Sequence, residues 1–191
     1  MYVKRIVFPI LIIFLLSSHL FAGGSQNSAQ QECFQNFIRA CNSGFDCAWD
    51  TVESAFKQDL SALGKFDEFR LERCVSDNIH KRFWLSAYIH SNPTTFKEPE
   101  RSQRFTLNLT RKVIGTCERN KIQCKLQELH FIAAVNASKL GNSYLASYHK
   151  ERAIQVANTS CTYFGAKGQE EADIFQSIKT KSALNFTKCP Q

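Results

Sequence analysis

Eight cysteines, four histidines beyond the N-terminal leader and a run of bases between Lys97 and Lys125 are the residues whose types could do chemistry in this chain. Cysteine and histidine together bind metal at C-x-x-C or at i, i+4 histidine spacing, and neither spacing occurs here, so no metal site is assigned. His80, His90, His130 and His149 have the side chain best suited to a general base near neutral pH. A base needs a nucleophile or a bound water to act on, and the chain has no G-x-S-x-G or H-E-x-x-H sequence. No catalytic residue and no cofactor is therefore assigned. The paired carboxylates Asp67 with Glu68 and Glu170 with Glu171 stand where helices begin, and there they read as capping groups that meet the helix dipole.

The remaining chemistry of the cysteines is cross-linking, which depends on compartment. Lys4 and Arg5 precede an apolar run from Ile6 to Leu16, then Ser17, Ser18 and His19, then the small residues Ala22, Gly23 and Gly24. That is the layout of a signal peptide cleaved after Ala22 or Gly24. The apolar run is shorter than the roughly 20 residues of a membrane span and contains Pro9. Residues 1–24 are read as a leader and residues 25–191 as one α-helical, cysteine-rich domain with no transmembrane segment. It is expected to be secreted, or periplasmic if the source is a Gram-negative bacterium. An even number of cysteines in an exported chain implies four disulfides.

Helices must position those cysteines. Phe34, Phe37, Ile38 and Cys41 recur at helical spacing, as do Phe45, Trp49, Val52, Phe56, Leu60 and Leu63. Asn42, Ser43 and Gly44 separate the two stripes. After Gly64 a third helix is predicted from near Phe66 to about Ile89, stopped by Asn92 and Pro93. If the three run up, down and up, Cys41 and Cys47 meet across the first turn, and Cys33 lies level with Cys74. Those two pairings are the ones the spacing predicts.

Residues 91–99, with two prolines, read as a loop and as the seam between two halves. Further helices are predicted over about Glu100–Glu118, Ile122–Leu140 and Ser143–Phe164. A seventh carries Phe175, Ile178, Leu184 and Phe186. Apolar residues on more than one face make the Ile122–Leu140 segment a central helix. No segment alternates with period two. The fold class is all-α, about seven helices in one disulfide-stapled domain. Cys117 and Cys124 straddle Asn120 as Cys41 and Cys47 straddle Gly44, whereas helix height places Cys124 level with Cys161. With Cys189 fitting neither scheme, pairing in the second half stays open. Leu140, Gly141, Tyr144 and Ala153 resemble the spacing of a tetratricopeptide repeat, yet no 34-residue period recurs, and Gly141 reads equally well as a helix terminus.

Charge is distributed unevenly. The chain carries +7, and the leader's Lys4 and Arg5 account for two of those charges, leaving +5. Lys97 to Lys125 holds eight bases and three acids, so the rest is neutral in sum. On a helical wheel Arg101, Arg104, Asn108, Arg111 and Lys112 share one arc, opposite Phe105, Leu109 and Val113. This basic stripe suits an anionic partner, whether an acidic protein, a sulfated glycan or a phospholipid surface. Nucleic acid is disfavoured by the absence of aromatic residues on the arc. Sequons stand at Asn108, Asn136, Asn158 and Asn185. Asn108 projects among charged residues and is the best glycan acceptor, while Asn136 shares a side with Ile132, Ala133 and Leu140. The composite expectation is a secreted, disulfide-stabilised binding protein presenting a basic surface. A carrier of a small apolar ligand between helices is the alternative, suggested by 13 phenylalanines after the leader, and an enzyme of unrecognised type comes third.

Overall fold

Short polar residues punctuate this chain and decide where its helices start. Asp67 accepts a hydrogen bond from the Arg70 N–H at 2.8 Å, Asn78 from the Lys81 N–H at 2.9 Å and Asn142 from the Leu145 N–H at 3.0 Å. The computed structural model describes residues 33–41, 44–63, 67–76, 78–156 and 169–181. They form α1 (Gln35–Cys41), α2 (Trp49–Leu63), α3 (Glu68–Cys74), α4 (Ile79–Ser91), α5 (Pro99–Asn120), α6 (Leu126–Lys139), α7 (Ser143–Gln155) and α8 (Gln169–Lys181). A single 3-10 turn, Pro93–Thr95, precedes α5, and the described residues contain no strand. The fold is all-α. The chain divides into two compact units, Met1–Cys33 and Phe34–Gln191, and apart from the bonding state of Cys33 everything that follows concerns the second. The expected leader, Asn158, Cys161, Leu184, Asn185, Phe186 and Cys189 lie outside the described residues.

Several helix boundaries differ from the sequence expectation: α6 starts at Leu126, not Ile122, α7 ends at Gln155, short of Phe164, and the two largest differences lie in the first half. The second helix starts at Trp49, not Phe45, because Cys47 is tied back to Cys41 and holds residues 44–48 in a loop. The third is two helices, α3 and α4. The Val75 N–H bonds back to Glu72 O at 3.3 Å and the Asn78 N–H to Val75 O at 3.2 Å, after which the Asn78 side chain caps a new start. The apolar spacing runs on through this break, so periodicity alone does not reveal it. The break adds an eighth helix and turns α3 into a separate short wall beside α5.

Aromatic rings hold the first half together. Phe34 and Phe37 pack on Phe56 with centroids 5.0 and 4.8 Å apart, and Phe56 reaches Tyr88 at 5.6 Å. Phe34 meets Phe56 edge to face and the other two pairs are tilted, and aromatic pairs in such non-sandwich arrangements add about 0.5 to 1.5 kcal/mol each beyond burial. Trp84 is fully buried, and its indole N–H donates to Gly44 O at 2.8 Å, joining α4 to the stapled turn. The exposed start of α1 is closed by a residue from another helix. Asp59 of α2, only 5% exposed, accepts from the Asn36 N–H, the Asn36 amide and the Phe37 N–H at 2.9 to 3.0 Å. A carboxylate there satisfies the unpaired N–H groups and meets the positive end of the helix.

α6 is the central helix, as its all-round apolar pattern predicts: every residue from Gln127 to Ala137 is buried. It packs on α5 and α7 and also meets α4 and α8. Gly141, at φ +72°, makes the left-handed turn between α6 and α7, so it is a helix terminus. The seam around residues 91–99 is ordered by Phe96, buried against Phe105 at 5.4 Å.

The disulfides follow the turns. Cys41–Cys47 forms as expected, with Cα atoms 5.7 Å apart. Cys117–Cys124 forms with Cα atoms at 6.1 Å, so the turn reading holds in the second half and the pairing of Cys124 with Cys161 does not. The reason is local: Lys121 takes a left-handed conformation, φ 51°, its N–H bonds to Cys117 O, and the chain folds straight back to Cys124. Cys33 and Cys74 are also disulfide-bonded, and the described residues contain no free cysteine.

Candidate anion-binding groove

α5 is the longest helix among the described residues and carries two unlike faces. Pro99 at its first turn fixes the entry, and Ser102, Phe105, Thr106, Leu109, Thr110, Val113 and Cys117 turn inward. The opposite arc carries the bases, and between it and α3 runs a groove of about 580 Å³. Arg104, Asn108, Arg111 and Lys112 of the expected stripe line it. Gly115, Thr116 and Arg119 line it too, as do Glu68 and Glu72 of α3 and Arg82 of α4. Arg101 is the stripe residue left outside, paired with Glu68 at 2.8 Å and stacked 5.7 Å from the Phe96 ring centroid.

The cations differ in what they face. Lys112 pairs with Glu72 across the groove, and Arg104 pairs with Glu100 one turn back on its own helix. Arg82 donates to Val75 O at 3.1 Å and to Ser76 O, closing the carboxyl end of α3. The expected stripe is thus partly neutralised by carboxylates. These pairs are exposed, and exposed pairs of this kind contribute only about 0 to 1 kcal/mol, so they open at little cost. Arg111, Arg119 and the Asn108 amide have no hydrogen-bond or ion-pair partner among the described residues.

Gly115 explains how Arg119 lies. Glycine inside a helix costs about 1 kcal/mol relative to alanine. A Cβ at this position would stand 3.3 Å from Arg119 Nη1, so the bare backbone leaves room for the guanidinium to lie back along α5 into the groove. Arg119, Gly115 and Arg82 were missing from the sequence-based stripe. The first two continue the spacing from Arg104 and Asn108 through Arg111 and could have been found by extending it two turns beyond Lys112. Arg82 comes from another helix and has no sequence signal.

The histidines are distributed elsewhere. His130 of α6 and His149 of α7 bring their Nδ1 atoms to 2.9 Å, so one ring donates to the other, and both Nε2 atoms are buried without a partner. Burial, the facing His149 and then Arg152 push the His130 pKa down to about 3. Burial and then Arg111 push that of His149 down to about 4, with Glu118 opposing. Both rings are neutral at pH 7. His90 meets the Asn136 amide at 3.2 Å and lies 3.9 Å from Glu171, a buried carboxylate that pairs with Lys139. Glu171 therefore does more than the capping expected of it: it ties α8 to α6. Asp67, by contrast, is the N-cap that the sequence predicts. His80 packs on Phe45 at 4.3 Å, and burial lowers its pKa.

Asn136 is 2% exposed and donates to Ile132 O at 2.7 Å, so a glycan there is incompatible with this packing. Asn108 is exposed, and a glycan on it would occupy the groove. A second concavity, about 590 Å³, lies between α1 and α2 and is lined by polar residues such as Asn36, Arg39, Asp50, Thr51 and Gln58. No family model, curated protein or solved structure matches this chain.

Proposed function

We propose that this chain is a secreted, disulfide-stapled helical binding protein whose groove between α3 and α5 receives an anionic partner. The observation that carries this reading is the pair Arg111 and Arg119: two guanidiniums on one concave face with no acceptor among the described residues. Guanidinium presents several N–H donors in a fixed fork and stays charged, so an oxyanion is its natural complement. Export is supported by the leader and by the disulfide bonding of every described cysteine, which suits an oxidising compartment. No helix among the described residues is long and apolar enough to cross a membrane. The apolar-carrier reading lacks comparable support. Both concavities are rimmed by polar groups, and Phe34, Phe37, Phe56 and Phe83 are fully buried in core packing.

Retention on immobilised polyanions as a function of salt tests the proposal. Wild type should be held by at least one of dextran sulfate, polyglutamate or phosphatidylserine vesicles, and Arg111→Glu/Arg119→Glu should be released at much lower salt. Lys57→Glu/Lys179→Glu makes the same change in net charge at exposed positions on α2 and α8. Equal retention of the two double variants would show that net charge, not the groove, does the binding.

A further inference from the structure

We infer that the anionic partner of this groove is a sulfated glycan chain lying along α5; the inference rests on the binding function proposed above. Three features of the groove choose among anionic chemistries. Its apolar floor is almost closed, because Phe105 and Leu109 are only 7% and 2% exposed, so an acidic peptide would find little to anchor an apolar side chain. Its far wall carries Glu68 and Glu72, and a dense, flat anionic surface such as a membrane would be brought against those carboxylates as well as the bases. A sulfated chain asks for neither apolar contact nor a uniformly basic plane. It presents oxyanions at intervals along a line, separated by hydroxyls.

The donors match that pattern. Arg111 and Arg119 are eight residues apart on one face, about 12 Å along the helix axis. Each can hold one sulfate, and between them the bare backbone at Gly115 lets the chain lie close, with Arg119 folded along it. The Asn108 amide, unpartnered and on the same face, supplies both a donor and an acceptor for a hydroxyl. Lys112 and Arg104 are held only by exposed pairs and can turn to further sulfates. Glu68 and Glu72 then remain as acceptors for sugar hydroxyls on the α3 side.

Calorimetric titration of the processed, full-length protein with a heparin-derived hexasaccharide tests the inference. The desulfated hexasaccharide, polyglutamate and phosphatidylserine vesicles serve as parallel ligands. The sulfated sugar should bind. Arg111→Gln/Arg119→Gln should weaken it by about tenfold or more and reduce the dependence of log affinity on log salt by roughly one to two units. Gly115→Ala should weaken it about threefold while leaving the fold as stable as wild type or more so, because alanine favours the helix. Unchanged affinity in Gly115→Ala would overturn the contact assigned to Arg119. Equal binding of the desulfated sugar would overturn the recognition of sulfate. If polyglutamate or vesicles bind with the same sensitivity to the arginine variants and the hexasaccharide does not, the glycan inference fails and the anion-binding groove stands. If no ligand shows that sensitivity, both fail.

Discussion

Two concavities among the described residues are nearly equal in size, about 580 Å³ between α3 and α5 and about 590 Å³ between α1 and α2, and they differ in what their guanidiniums face. Between α1 and α2, Arg39 is hydrogen-bonded to Asn36 Oδ1 at 3.0 Å, and Asp59 beneath is saturated by three donors from the start of α1. Between α3 and α5, two guanidiniums and an amide face no protein partner among the described residues. Volume does not tell a site from a crevice here. In the first concavity the guanidinium has its partner in the fold, and in the second two guanidiniums are left over from it.

The largest expected effect concerns the histidine pair that adjoins the groove through Arg111. Both imidazoles have folded pKa values below the usual 6.5, so as pH falls the unfolded chain takes up protons first, and stability declines from about pH 6.5 down to about 4 for His149 and about 3 for His130. For His149 alone the loss amounts to about 3 kcal/mol by pH 4, with His130 adding to it. Urea unfolding at pH 7 and pH 4.5 should show a much smaller difference in His130→Leu/His149→Leu than in wild type, and equal differences would contradict the assignment. Arg111, Arg152 and Glu118 also act on the pair, so Arg111→Gln should raise the His149 pKa, a change readable in an NMR titration.

Next in size is Asp59. Asp59→Ala leaves the buried Phe37 N–H and the Asn36 N–H without their acceptor and should cost about 3 kcal/mol in chemical denaturation. A loss below about 0.5 kcal/mol would mean that the start of α1 does not depend on this carboxylate. Replacing Cys117 and Cys124 together by alanine should cost about 2.5 kcal/mol, the loop-entropy value for so short a ring. Peptide mapping of the intact protein should find those two joined and Cys33 joined to Cys74. A bond between Cys33 and Cys41 would break the helix-height reasoning that predicts the first-half pairs. The smallest effect belongs to the groove itself: Arg111→Glu/Arg119→Glu should change folding stability by less than about 0.5 kcal/mol, because neither side chain holds the fold. A larger loss would make these arginines structural.

Much of this arrangement is legible in the sequence where the information is local. The apolar stripes of α2, α5 and α6, the turn that joins Cys41 to Cys47 and the arc from Arg104 to Lys112 all follow from residues less than two helices apart. The division of α3 from α4 is hidden because Leu71, Val75 and Phe83 keep helical spacing through it while Asn78 caps a new start. The partial neutralisation of the stripe is hidden for another reason. Glu68 and Glu72 lie 33 and 40 positions from Arg101 and Lys112, and only the packing of α3 beside α5 brings them together. The histidine pair falls between these cases. His130 and His149 stand 11 and 8 residues from Gly141 on neighbouring helices, within one turn of the same height, so the height reasoning applied to the cysteines points to them only approximately.

Backbone amide shifts during titration with the sulfated hexasaccharide compare the two concavities within one molecule. The largest changes should fall on Asn108, Arg111, Gly115, Thr116 and Arg119, with smaller ones at Glu68 and Glu72, while Asn36, Arg39 and Gln58 stay still. Changes centred on α1 and α2, or spread evenly over exposed lysines and arginines, would contradict the assignment of the groove as the binding site.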